Sequence, residues 1–133
     1  TMDLHTNIFG QMVLAQYLLD NDLDDQIEKI KEMYREKAEK MMACMAEDFP
    51  ADVKYTKPEG GMFIWATMPE GLKAVDVMEA AAKKGVAVCP GDPFYEEDRG
   101  VRTMRINYSN SSDEAIEKGI KILGDTLKEL LAK

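Results

Sequence analysis

Apolar residues recur along this chain with two periods, and each regular stretch predicts an element. Ile8 to Leu19, rich in Leu, Ala, Met and Gln, predicts a short helix, broken at Asp20-Asn21-Asp22. Asp24 can cap a long helix from Asp25 to Glu47, with Ile27, Ile30, Tyr34, Ala38, Met41 and Met45 at helical spacing. Met41, Met42 and Met45 read as adaptable core filler. Phe49-Pro50 ends the helix. Val53 to Thr56 predicts a short strand, Lys57 to Gly61 a turn, and Met62 to Thr67 an apolar strand stopped by Met68-Pro69. Val75 to Lys84 predicts an Ala-rich helix closed by Gly85. Val86 to Val88 reads as a brief buried strand, residues 90–100 as a loop, and Arg102 to Asn107 as the last strand. Ser111-Ser112-Asp113-Glu114 is a capping box for the final helix. Its Ile116, Ile120, Leu123, Leu127 and Leu130 fall at intervals of four and three, a stripe expected to pack on the sheet.

The order helix-helix-β-β-α-β-β-α, with short connections, predicts an α+β sandwich with helices packed on a small mixed sheet. A length of 133 residues suits one domain with its own core, and no repeat or linker divides it. The formal net charge of −8 argues against a nucleic-acid surface. No apolar run is long enough to span a membrane, and no signal peptide is expected. Cys44 and Cys89 match no metal or redox spacing and read as reduced thiols in a cytosolic protein. The opening Thr1-Met2-Asp3 suggests a piece of something longer.

Most candidate chemistry is poorly supported. Asp20, Asp22 and Asp24 have calcium-loop spacing, but Asp25 stands where that loop needs Gly and Lys31 where it needs Glu. His5 is the sole histidine, so no metal site is expected. Ser109, Ser111 and Ser112 crowd the start of the last helix, where capping explains at least Ser111 better than catalysis does. Gly60-Gly61 enters a strand with no Lys-Ser/Thr behind it, so it reads as a tight turn at positive φ rather than a phosphate loop. Arg35 reads as a helix-surface charge, and Arg99 and Arg102 flank a loop. Arg105 differs because Met104 and Ile106 bracket it within a strand, and alternation turns it to the opposite face from both. A guanidinium is costly to bury unless an anion meets it, and it matches a carboxylate in a two-pronged geometry. That anion is either an acid on the protein surface or a ligand.

Four segments carry a resemblance. Arg105-Ile106-Asn107-Tyr108-Ser109 resembles the Arg-Leu-Asn-Phe-Ser signature of class I/II, fold-type I aminotransferases, which use pyridoxal 5'-phosphate (PLP). Pro58-Glu59-Gly60-Gly61-Met62-Phe63-Ile64-Trp65 is similar to that family's Pro-x-Gly-Gly segment, and the stretch from Gly85 to Phe94 to its Gly-Val-x-x-x-Pro-Gly-x-x-Phe loop. Asp3 to Asn7 resembles the stretch that follows the PLP-binding domain. The order and spacing agree over essentially the whole chain, and the likeness is closest to the 2-aminoadipate and aromatic aminotransferase branch.

The resemblance implies the C-terminal small domain of such an enzyme, spanning residues 1–133. The large domain, with the lysine that carries PLP, the aspartate on its pyridine nitrogen and most phosphate ligands, would precede Thr1. No lysine here has the family's Ser-x-x-Lys context, so the chain alone is expected to be inactive, with no catalytic residue and no PLP of its own. The resemblance implies that Arg105 holds the carboxylate of an amino-acid or 2-oxo-acid substrate, that Gly61 and Phe94 shape the cleft, and that Asn7 or His5 either reaches the partner's site or serves an ordinary interface role in a cytoplasmic homodimer. The same resemblance covers the PLP domains of MocR-type transcription regulators, which would sense an effector rather than turn it over. A stand-alone α+β binding module is a third reading.

Overall fold

A computed structural model describes residues 7–132. His5 and residues 3–6 therefore lie outside the described residues. The elements run α1 (Ile8–Asp20), α2 (Leu23–Asp48), β1 (Lys54–Tyr55), β2 (Phe63–Thr67), α3 (Ala74–Lys83), β3 (Cys89–Pro90), β4 (Thr103–Asn107) and α4 (Asp113–Leu131), with 3-10 turns at Asp92–Phe94 and Glu97–Gly100. Packing divides the chain into two compact units that meet within α2, between Met33 and Tyr34.

The first unit holds α1 and the start of α2. Asn7 caps α1, its side-chain oxygen accepting from the Gly10 N–H at 2.9 Å. No residue of α1 is buried, although the helix is apolar: Phe9, Met12 and Leu19 are 76%, 66% and 81% exposed. A helix apolar on every side normally lies inside a larger body. The cap of α2 falls at Asp22 rather than at Asp24: Asp22 Oδ1 accepts the Asp24 N–H at 2.8 Å, and the helix begins at Leu23. Any of these closely spaced acids could cap, and the chain turns at the earlier one.

The second unit is an α+β sandwich. Its sheet has the order β1-β2-β4-β3, and every neighbouring pair is antiparallel, so the expected mixed sheet is corrected to an antiparallel one. The reason is topological. The connection β2-α3-β3 returns the chain in the same direction, which would make a parallel pair, but β4 inserts between them. β3 also starts later than Val86–Val88, pairing only through Cys89 opposite Arg105 and Pro90 opposite Met104. Residues 86–88 instead line a cavity of about 240 Å³ with Ile106 and the first turns of α4.

One face of the sheet is the core. Ile64 and Ala66 of β2 and Met104 and Ile106 of β4 are buried with Ala38, Met41 and Met45 of α2, Ala74, Val77 and Ala81 of α3, and the Ile116/Ile120/Leu123/Leu127 stripe of α4. Leu130 is only partly buried against that cluster. The α4 cap falls one residue past Ser111, where Ser112 Oγ accepts from the Ala115 N–H at 3.3 Å. The Glu114 carboxyl is held below its usual range by its own backbone N–H and by the Ser112 hydroxyl. Lys40–Glu117 and Lys37 to the Ser111 carbonyl tie α2 to the start of α4.

Candidate functional site

The other face of the sheet carries the chemistry. Strand alternation turns Phe63 and Trp65 of β2, Arg105 of β4 and Cys89 of β3 away from the helices. Trp65 lies directly opposite Arg105 on one side and Cys89 on the other, so Arg105 occupies the middle of the sheet. The loop after β3 folds back over this face. Gly91 N–H donates to the Thr103 carbonyl at 2.7 Å, and Thr103 Oγ1 donates to the Gly100 carbonyl at 2.8 Å. A side chain at Gly91 would run into Thr103, so this close approach needs glycine.

The fold-back brings Phe94 and Tyr95 onto the strand side chains. The guanidinium carbon of Arg105 lies 4.2 Å from the Phe63 ring centre and 4.6 Å from that of Phe94. Trp65 in turn meets Phe94 at 5.7 Å with the rings at 80°, and Tyr95 at 5.9 Å. A flat cation against two rings is favoured electrostatically and can turn little.

Among the described residues no acid, carbonyl or hydroxyl is bonded to Arg105. Its Nε is buried without a partner. Buried Trp65 Nε1 and Asp92 Oδ2 are also unpaired. Among the described side chains no surface acid partners Arg105. Arg102 and Arg99 have ordinary uses: Arg102 donates to the Met68 carbonyl at 3.4 Å, Arg99 to that of Glu96 at 3.3 Å. What the face presents is a guanidinium flanked by rings, and the guanidinium fork matches a carboxylate in two parallel bonds.

The candidate residues separate. Arg105 and Phe94 are in contact. Gly61, at φ +82°, lies in the turn that feeds β2, and its carbonyl accepts from the Tyr108 hydroxyl at 2.8 Å. Asn7 serves as the α1 cap, in the first unit. Phe63, Trp65, Tyr95 and Tyr108 were not singled out as site residues from the sequence. The signal for Phe63 and Trp65 is their two-residue spacing, which gives them one common face. Nothing local announces the Tyr95 or Tyr108 contacts. Among the described residues no group of three or more His, Cys, Asp or Glu could hold a metal ion. No helix there is long and apolar enough to cross a membrane.

Comparison with known proteins identifies the family. The family model for aminotransferase class I and II matches residues 4–123. The chain is 42% identical, over its whole length, to aromatic-amino-acid aminotransferase 1 of Thermococcus litoralis, of which it covers 32%. It superposes with a TM-score of 0.90 and 38% identity on the crystal structure of LysN, an alpha-aminoadipate aminotransferase of Thermus thermophilus complexed with N-(5'-phosphopyridoxyl)-L-leucine, over 98% of this chain and 33% of that one. It is also 27% identical, over 96% of its length, to 27% of an HTH-type transcriptional regulator of Escherichia coli, YdcR. The chain belongs to the class I and II aminotransferase family. It spans about a third of the length of the aminotransferases it matches.

PLP is the cofactor of that family. The residues gathered on this face do not suit PLP as a resident group. They supply one guanidinium fork and aromatic walls, with no amine or acid bonded to them.

Proposed function

We propose that this chain is the C-terminal small domain of a cytoplasmic PLP-dependent aminotransferase, and that Arg105 holds the carboxylate of its amino-acid or 2-oxo-acid substrate. The observation that carries this reading is a guanidinium held against Phe63 and Phe94 with no anion on it among the described side chains. Keeping such a group half-buried and unpaired costs stability, and a ligand anion gives it a use. PLP, held by the remaining two-thirds of the polypeptide, supplies the electron sink for the transfer. This domain binds and orients. The terminal nitrogens of Arg105 grip the carboxylate in two parallel hydrogen bonds, and the rings stop the fork from swinging. Because Nε is covered, the grip is end-on through the terminal nitrogens. Gly61 and Phe94 shape the approach to the cleft, and Asn7 lies beside the dimer interface. The apolar surface of α1 fits the same reading, since the remaining two-thirds of the polypeptide or a second copy in a homodimer would cover it. Free thiols at Cys44 and Cys89 fit a reducing compartment.

The test is made in the full-length protein. Arg105→Ala should leave the visible spectrum of bound PLP unchanged and weaken amino-acid binding by about 1.5–3 kcal/mol per charge-assisted bond lost. Arg105→Lys should restore only part, because an ammonium keeps the charge without the fork. Amines lacking a carboxylate should react equally with mutant and parent. A mutant that discriminates acids from amines as well as the parent does would remove Arg105 from the site.

A second reading rests on the match to the E. coli regulator. There the same grip would hold an effector amino acid without turnover. Measured amino transfer by the full-length protein decides between the two.

A further inference from the structure

The turn that feeds β2 is tied down by a residue outside the ring cluster. Tyr108 follows β4 and is buried, at 1% exposure. Its hydroxyl donates to the Gly61 carbonyl at 2.8 Å, with the Gly60 carbonyl at 3.5 Å. Its backbone N–H donates to the Met62 carbonyl at 3.2 Å. Its ring stands edge-on to Tyr34, 6.4 Å between centres, so the side chain is held from behind as well. Gly61 itself is solvent-exposed and sits at φ +82°, a conformation that glycine leaves readily. Two residues further on is Phe63, whose ring lies against the Arg105 guanidinium.

We propose that the Tyr108 hydroxyl is a positioning latch: by holding the Gly60–Gly61 turn it fixes the Phe63 ring, and through that ring the direction of the Arg105 fork. The ring of Tyr108 serves the core. The hydroxyl serves the site. It never touches the ligand, so its effect is on how well the fork is aimed rather than on charge. The proposal rests on reading Arg105 as the carboxylate grip, but its central claim concerns the order of the guanidinium and can be measured without any ligand.

The experiment uses the 133-residue chain and Tyr108→Phe, which keeps the ring. The ¹⁵N-edited NMR signal of Arg105 Nε–H is recorded in parent and variant, with Arg105→Lys to assign it. In the parent it should be one sharp line; in Tyr108→Phe it should broaden or split while the amides of α4 keep their shifts. Acetate titration, followed by the fluorescence of Trp65, should give an affinity about three- to tenfold lower in the variant, the range one hydrogen bond spans. Acetamide, uncharged and of similar size, should give no difference. An unchanged Arg105 Nε–H line in Tyr108→Phe overturns the latch, whatever acetate does. A changed line beside acetate binding that Arg105→Lys does not alter supports the latch and sinks the carboxylate grip instead. General loosening, with α4 amides moving as much as Arg105, also overturns it, because the hydroxyl would then be holding the core.

Discussion

Replacing Arg105 by methionine separates a structural arginine from a binding one, because the two predict opposite outcomes for stability. Methionine keeps an unbranched apolar stem of similar reach. The change removes two cation–ring contacts, worth about 0.5–1 kcal/mol each near a surface. Sulfur–ring contacts return about 0.3–1.5 kcal/mol of that. It also removes the buried, unpaired Nε, whose desolvation costs about 1–3 kcal/mol. The sum runs from about 0.7 kcal/mol of destabilisation to about 3.5 kcal/mol of stabilisation, centred at about 1.4 kcal/mol of stabilisation. Had Arg105 been half of a buried ion pair, losing it would cost about 3–5 kcal/mol. Urea unfolding followed by Trp65, the sole tryptophan, reads the second unit directly. With a slope of about 2 kcal/mol per molar, the midpoint should fall by no more than about 0.4 M and is expected to rise by about 0.7 M, against a fall of about 1.5 M or more for a lost pair. A fall of that size would refute the reasoning. Site residues kept at the expense of stability are a general pattern, so a more stable Arg105→Met that no longer responds to acetate is the result expected.

Two further outcomes follow from the packing. Leu123 is 1% exposed in the α4 stripe, so Leu123→Ala should cost about 2–5 kcal/mol. In a unit of this size that lowers the melting temperature by about 10 °C or more, and calorimetric midpoints equal to the parent's would dismiss the packing of α4 on the sheet. Gly91→Ala would set a methyl group against the Thr103 hydroxyl and carbonyl, forcing the loop that carries Phe94 and Tyr95 off the sheet. Acetate affinity should drop while the α4 amide signals hold, and an affinity equal to the parent's would show that the loop does not wall the site.

The helices were the most legible part of the sequence because their signal is local. The period of Ile116, Ile120, Leu123 and Leu127 defines one face, and that face is buried. Their ends were less so: with acids at 20, 22 and 24 and serines at 111 and 112, which residue caps depends on how the chain enters. Arg105 was legible as a polar residue turned away from Met104 and Ile106. Its surroundings were not, because Phe63 and Phe94 reach it through strand register and a loop fold-back. The order of strands also escaped the sequence. An apolar run such as Val86 to Val88 looks like a strand wherever it occurs, but a strand exists only where a neighbour offers hydrogen bonds, and β4 offers them at Cys89 and Pro90. The Tyr108 hydroxyl reads as one more core aromatic until its distance to Gly61 is known.

The insertion of β4 between β2 and β3 bears on how this protein comes into being. A ribosome makes the two flanking strands first and the strand between them last. Until residue 107 has emerged, β2 and β3 have no shared neighbour, and two-thirds of the pairings in the sheet cannot form. The second unit therefore has little to gain from folding early and closes around its final strand, a long-range step that sets a slow pace. Arg105 arrives on that same strand. The cation–ring cluster is thus a late product of synthesis: a chain interrupted before β4 carries Phe63 and Phe94 but no guanidinium for them to flank.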